Sequence, residues 1–176
     1  MPTFTSSNWP RPDGQHPAGC GERRETILEL QQLAYQSEAK LYEDWTVPPL
    51  TQSLASLREE LAASVVVLKA EMAGRIVGSV RATASGDSCT IGRLIVHPQC
   101  QRRGIGSLLM REIETVFANA CRYELFTGSR SDSNIRLYQH LGYTIFRTQA
   151  LSPAVELVFM EKHNEAPAGK PAAPDA

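Results

Sequence analysis

The stretch from Leu94 to Leu109, Leu-Ile-Val-His-Pro-Gln-Cys-Gln-Arg-Arg-Gly-Ile-Gly-Ser-Leu-Leu, constrains the fold of this chain more than any other part of it. An apolar, β-branched run ends at His97-Pro98, a turn carries Gly104 and Gly106, and a helical pattern follows at once. Ile105, Leu108, Leu109, Ile113, Val116 and Phe117 recur at helical spacing, while Arg111, Glu112 and Glu114 take the other face. A strand that turns directly into a helix leaves the first N–H groups of that helix without partners, at the positive end of the aligned peptide dipoles. Glycines at this point let the backbone approach an anion closely, and Arg102 and Arg103 add charge beside the opening. Each hydrogen bond to a charged acceptor contributes ~1.5–3 kcal/mol, so three or four donors between Gln101 and Ser107 can cradle a diphosphate. Taken alone, the Gly-x-Gly reads more readily as a tight turn flanked by solvated arginines. A nucleotide-hydrolysing loop would need Gly-Lys-Ser/Thr, whereas Gly106 is followed by Ser107-Leu108; a dinucleotide fold would need a third glycine and an acidic residue that the spacing does not supply.

The rest of the pattern surrounds this segment with helices and strands. Ile27, Leu30 and Ala34 predict a helix over 24–38. Thr51 is placed to cap a second helix that buries Leu54, Leu57 and Leu61. Ser64 to Glu71, Ile76 to Thr83 and Thr90 to His97 read as an antiparallel meander, with glycine-bearing turns between them. After the long helix come a strand over 123–127, a helix over 133–141 ending at Gly142, and strands over 143–147 and 154–161. This order predicts an α+β sandwich, helices packed on a mixed, mostly antiparallel sheet. Residues 1–22 and 163–176, rich in Pro, Gly, Ala and polar residues, are expected to be irregular or disordered, with one domain over 23–162.

Composition bounds the function. Lys and Arg total 18 against 19 for Asp and Glu, a net charge of -1, which implies no general attraction to nucleic acid, and Arg102 with Arg103 is no basic cluster. Val65 to Leu68 is far shorter than the ~20 apolar residues that cross a bilayer, so no membrane segment is expected. No secretory signal pattern is seen at the N-terminus, and Cys20, Cys89, Cys100 and Cys121 have neither metal-ligand nor disulfide-framework spacing. The expectation is reduced thiols in the cytoplasm, and no metal.

Gln101-x-x-Gly104-x-Gly106, between an apolar strand and an amphipathic helix, resembles the acetyl-CoA signature of the GNAT N-acetyltransferase superfamily. Leu137-Tyr138-Gln139-His140-Leu141-Gly142-Tyr143 resembles that family's second hallmark, a Leu-Tyr pair on a short helix followed by a Gly-aromatic step into a strand, and the element order from Leu54 to Met160 fits as well.

The resemblance implies a sheet with a splayed central strand pair, about four flanking helices, and acetyl-CoA as co-substrate. Leu94, Ile95 and Val96 would offer backbone groups to the pantetheine arm and polarise the thioester carbonyl. Gln101, Arg102, Arg103, Gly104, Ile105, Gly106 and Ser107 would hold the diphosphate, and Tyr138 would protonate the departing sulfur. Many members carry an Asn for the cofactor arm where this chain has Ser131; Asn134, a turn later, is the cofactor-binding candidate here. The family's first strand is hard to place. Either Thr3-Phe4-Thr5 supplies it or the sheet starts one strand short.

An amine with a pKa near ~10.4 is mostly protonated at neutral pH, so a base or desolvating pocket is expected. Glu124, His97 and Glu38 are candidates, each with a solvated surface role as the bland alternative, and His140 faces no obvious site. The acceptor side would be built from Glu38, Tyr42, Glu43, Asp44 and Trp45 with the Gln149-to-Ser152 turn, leaving a small amine, an antibiotic, or a protein N-terminus or lysine open. The alternative reading is a non-catalytic acyl-CoA-binding or sensing module; a homodimer is compatible with either.

Overall fold

A computed structural model describes residues 3–7, 20–152 and 155–164, with side chains from Arg24 onward. Its strands are β1 (Thr3–Ser7), β2 (Val65–Met72), β3 (Arg75–Ser85), β4 (Ser88–Val96), β5 (Arg122–Gly128), β6 (Thr144–Ala150) and β7 (Glu156–His163). The helices are α1 (Cys20–Tyr42), α2 (Pro48–Thr51), α3 (Leu54–Ala62), α4 (Ile105–Val116) and α5 (Asp132–His140). The strands form one sheet in the order β1-β2-β3-β4-β5-β7-β6. Every pair is antiparallel except β4 with β5, so the sheet is mixed and mostly antiparallel as expected, with five α-helices among the described residues where about four were expected.

The parallel pair positions everything that follows. β4 and β5 are in register only at Ser88↔Arg122, Cys89↔Tyr123 and Thr90↔Glu124. Beyond Thr90, β4 stays with β3 and β5 stays with β7, leaving a gap between the two halves of the sheet. The cause is local to β4, where Arg93 takes a left-handed φ of 51° and the β3–β4 register slips between Ser79 and Arg81. A bulge of this kind bends its strand and increases the twist, here carrying Leu94 to Val96 away from β5.

Helices cover both faces. On one, Ile105, Leu109, Met110 and Ile113 of α4 and Tyr138 of α5 are buried in the main apolar core with residues of β2 to β5 and β7. On the other, Ile27 of α1 and Leu57 and Leu61 of α3 pack on Val67 of β2. Gly142, at φ 92°, ends α5 in the left-handed conformation expected of it. Tyr143 then enters the core with its hydroxyl donating to Glu114 Oε1 of α4 at 2.8 Å.

Three sequence expectations need correcting. Residues 1–22 are not wholly irregular. Thr3–Ser7 forms β1, paired antiparallel with β2 from Thr3↔Glu71 to Ser7↔Val67, and α1 already starts at Cys20. An edge strand held by main-chain bonds along one side needs little apolar periodicity, which is why its sequence is quiet. The cap of the second helix is Ser53, whose hydroxyl accepts from the Ser56 N–H at 3.1 Å. Thr51 instead closes α2, a single turn that begins at the two prolines. The long first helix runs past 38 to Tyr42, burying Ala39 and Tyr42 in its last turn. Residues 8–19 and the tail from 165 onward lie outside the described residues, as does that part of the expectation for 163–176.

Candidate functional site

The turn after β4 folds as the sequence suggests. His97 Nδ1 accepts from the Gln99 N–H at 3.2 Å and caps a short 3-10 turn over Pro98–Cys100, so that histidine is engaged in holding the backbone. Arg102 and Gly104 both take left-handed φ, 61° and 79°, and α4 then starts, with the Leu108 N–H donating to Gly104 O at 3.0 Å. No backbone acceptor among the described residues engages the N–H groups from Arg102 to Ser107, the row of orphan donors expected at such a terminus. Both guanidinium groups are exposed and in no ion pair among the described residues. Gly106 lies in contact with its surroundings, since a Cβ there would meet Leu137 at 3.4 Å, Leu94 at 3.8 Å and Val96 at 3.9 Å. The loop is thus packed against both the split strand and α5. Ile105 turns its side chain into the core, and the Gln101 amide donates to Val96 O at 3.3 Å, closing the loop on the strand.

Leu94, Ile95 and Val96 border the gap. Ile95 and Val96 remain paired with Ser79 and Gly78 of β3, so the peptide groups pointing the other way face the opening. Across it, β5 ends at Gly128, where a Cβ would come within 2.2 Å of the Tyr42 hydroxyl. Only glycine permits that approach, which lets the Tyr42 hydroxyl accept the Arg130 N–H at 2.6 Å.

Tyr138, on α5, is 7% exposed and its hydroxyl makes no hydrogen bond among the described residues. It belongs to the core on the α4 side, yet it feels Tyr35 and Glu38, both on α1 across the sheet. Burial pushes its phenol well above the usual value, and these two neighbours add to the rise. Tyr138 therefore holds its proton firmly, with Tyr35 and Glu38 of α1 within electrostatic reach. Burial also raises the Tyr35 phenol, partly offset by Arg93 beside it.

Gln31, Tyr35, Glu38 and Tyr42 line one stripe of α1 at helical spacing. Gln31 donates to Pro49 O at 2.8 Å and to Gln52 at 2.9 Å, and accepts from Arg81 at 2.7 Å. Tyr35 meets Arg93 at the bulge, and Glu38 accepts from Ser131 and Asn134 of α5. One helix face thus bridges β3, β4 and the start of α5, spanning the gap. Sequence reasoning missed Tyr35, Arg93, Thr127 and the Ser131 pairing. The detectable signal was a polar and aromatic repeat at positions that an apolar stripe would otherwise occupy.

The other candidates disperse. Asn134 is turned to Glu38 at 3.3 Å and Thr127 at 3.4 Å. Glu124 forms an ion pair with Arg122 at 2.8 Å, at the closed end of the gap. Trp45 and Glu43 are exposed on the loop after α1, and the Asp44 carboxylate is occupied by the Thr46 N–H at 2.8 Å and hydroxyl at 2.6 Å. Among the described residues no helix is long and apolar enough to cross a membrane, and no cluster of three His, Cys, Asp or Glu side chains could hold a metal.

Residues 62–145 match the model of the acetyltransferase (GNAT) domain. That span takes in the meander, the loop, α4, β5 and α5. Among solved structures, the chain is similar to the ribosomal-protein-S18-alanine N-acetyltransferase of Escherichia coli, at 14% identity over 98% of this chain and 99% of that one, with a TM-score of 0.73. It is similar to the PaiA N-acetyltransferase of Thermoplasma acidophilum in complex with coenzyme A, at 15% identity, 92% and 99% coverage and a TM-score of 0.69. YncA of Salmonella typhimurium with its cofactor acetyl-CoA matches at 18% identity over 100% and 99%, with a TM-score of 0.66. At such identities these likenesses speak to the fold.

Proposed function

The chain belongs to the GNAT acetyltransferase superfamily, and from that premise we propose that it moves an acetyl group from acetyl-CoA directly to an amine. The observation that carries this reading is the coincidence of three features at one gap: a row of unpartnered N–H groups, strand edges freed by a bulge, and a buried phenol.

The residues present fit acetyl-CoA. The N–H groups from Arg102 to Ser107 supply donors for the diphosphate, with Arg102 and Arg103 contributing charge and Gln101 fastening the loop to Val96. Leu94, Ile95 and Val96 offer peptide groups along the gap to the pantetheine arm and to the oxygen of the thioester as charge develops on it. The bound co-substrate supplies an activated acyl carbon. Tyr138 holds its proton at neutral pH because the phenol is desolvated, and it delivers that proton to the departing sulfur. Asn134 is not assigned to the cofactor arm, since its amide serves Glu38 and Thr127.

The acceptor approaches from the α1 side, where the polar stripe faces the gap. Two of the similar structures bear names specifying a protein alanine and coenzyme A, which is in keeping with an amine acceptor and a coenzyme A thioester here. Acetyl-CoA incubated with the protein and a panel of spermidine, tyramine, Nα-acetyl-lysine amide and an alanine-terminated peptide is expected to release free thiol with at least one member. Coenzyme A binding without thiol release across a wide panel would favour the sensing module instead.

A further inference from the structure

Among the described residues, the half-buried carboxylate of Glu38 lacks the cationic partner that every comparable glutamate possesses. Among the described glutamates that are not exposed, Glu60 pairs with Arg81, Glu71 with Lys69, Glu114 with Lys162, and Glu124 and Glu161 with Arg122. Glu38 alone has no cation. What it has is a mount. The Ser131 hydroxyl donates to Oε2 and the Asn134 amide donates to Oε1 at 3.3 Å. Ser131 is the N-cap residue of α5 but makes no capping bond, because its hydroxyl is turned to Glu38. A serine cap ordinarily stabilises a helix N-terminus, and α5 forgoes that bond. An ionised carboxylate has about four acceptor sites, so each Glu38 oxygen keeps capacity beyond the single donor it receives.

We propose that Glu38 is the subsite for the acceptor's ammonium group and takes its first proton. The inference rests on the acetyl-transfer reading above and adds to it the acceptor class, a primary amine that arrives protonated. The groups facing Glu38 from the packed elements are Tyr35 on its own helix, Tyr138 and Asn134 from α5, and Ser131 at the α5 N-cap; Thr127 of β5 reaches it only through Asn134. Two cations of the same region are engaged elsewhere, Arg93 with Tyr35 and Arg130 over the Tyr42 ring at 5.4 Å. A carboxylate among phenols suits an ammonium, which also gains from aromatic faces.

The proton count closes. R–NH3+ gives one proton to a Glu38 oxygen; the freed lone pair forms the C–N bond as the C–S bond breaks. The thiolate takes the Tyr138 proton, the nitrogen's second proton restores the phenol, and Glu38 returns its proton to water. One proton is released per acetyl group moved.

The test is a calorimetric titration that needs no turnover, with coenzyme A, S-(3-aminopropyl)-coenzyme A and the uncharged S-butyl-coenzyme A as probes. The native protein is expected to bind the ammonium conjugate on the order of tenfold more tightly than the butyl conjugate, and Glu38→Gln to abolish that preference while leaving coenzyme A affinity unchanged. Equal affinities for the two conjugates in the native protein would overturn the assignment, whether or not the variant folds. Failure of coenzyme A itself to bind would instead strike the acetyl-transfer reading. In turnover with an amine from the panel, kcat/KM of Glu38→Gln is expected to climb with unit slope up to the amine's own pKa, where the native protein levels off earlier. A carboxylate that merely braces α5 would lower stability and leave the profile as it was.

Discussion

At Tyr138 the chemistry follows chiefly from burial. A phenol removed from water resists ionisation, because the phenolate loses its hydration, and negative charge at Glu38 works in the same direction. Tyr138→Phe removes only the hydroxyl, so it is expected to slow thiol release by ~10²–10⁴-fold while the coenzyme A dissociation constant stays within about twofold. Rate and affinity measured on the same preparation decide this, and an unchanged rate would take Tyr138 out of the mechanism. Burial also pushes the Cys89 thiol up to about 12, so it is not a ready nucleophile at neutral pH, in keeping with direct transfer. Gly104 is a case of backbone chemistry. A Cβ there would touch nothing within 4 Å, yet its φ of 79° is unfavourable for any L side chain. Gly104→Ala is expected to cost about 1–2 kcal/mol of stability and to weaken coenzyme A binding, since relaxing that φ turns the orphan N–H row away.

At the level of elements, the gap between β4 and β5 is held open from both sides. The bulge at Arg93 bends β4 away, and Tyr42 at the end of α1 pins the turn after β5 through Gly128 and the Arg130 N–H. Gly128→Ala would drive a methyl into the Tyr42 ring. The expected result is a loss of about 1–3 kcal/mol by denaturant titration, with a greater loss in acceptor KM than in coenzyme A affinity, because the strain falls on the α1 side. Much of this architecture was legible in the sequence. Strands β2 to β4 and helix α4 came from hydrophobic period, and the ends of α5 and of the loop from glycine position, since all of these are written in residues that either pack or turn. The split itself was expected only through family resemblance, because a bulge at Arg93 has no pattern signature. The polar stripe Gln31, Tyr35, Glu38 and Tyr42 was illegible for a physical reason: helix reading looks for an apolar face, and here the inward face hydrogen-bonds. Glu38 was visible as a residue, but its significance depends on Ser131 and Asn134, which lie far away in sequence.

For the molecule as a whole, tyrosines tie the layers together and set its alkaline limit. Burial raises the phenols of Tyr35, Tyr123, Tyr138 and Tyr143, and at Tyr143 the adjacent Glu114 carboxylate adds to the effect. Folding therefore favours the protonated form. The stability from these groups is fully present below the unfolded value near 10.0 and is lost as pH rises above it towards the folded values. Melting temperature is expected to be flat from neutral pH to about 10 and to fall beyond it, with a shallower fall in Tyr143→Phe; an equal slope in that variant would contradict the account. The same layers bring the loop, the split strands and α5 to one place, and the account depends on those N–H groups receiving an anion. The most direct measurement is calorimetric titration of coenzyme A into protein whose folded state is verified by circular dichroism. The account predicts one-to-one binding with measurable heat, weakening as ionic strength rises because the diphosphate is held by charge and dipoles. Folded protein that gives no heat with coenzyme A would contradict it.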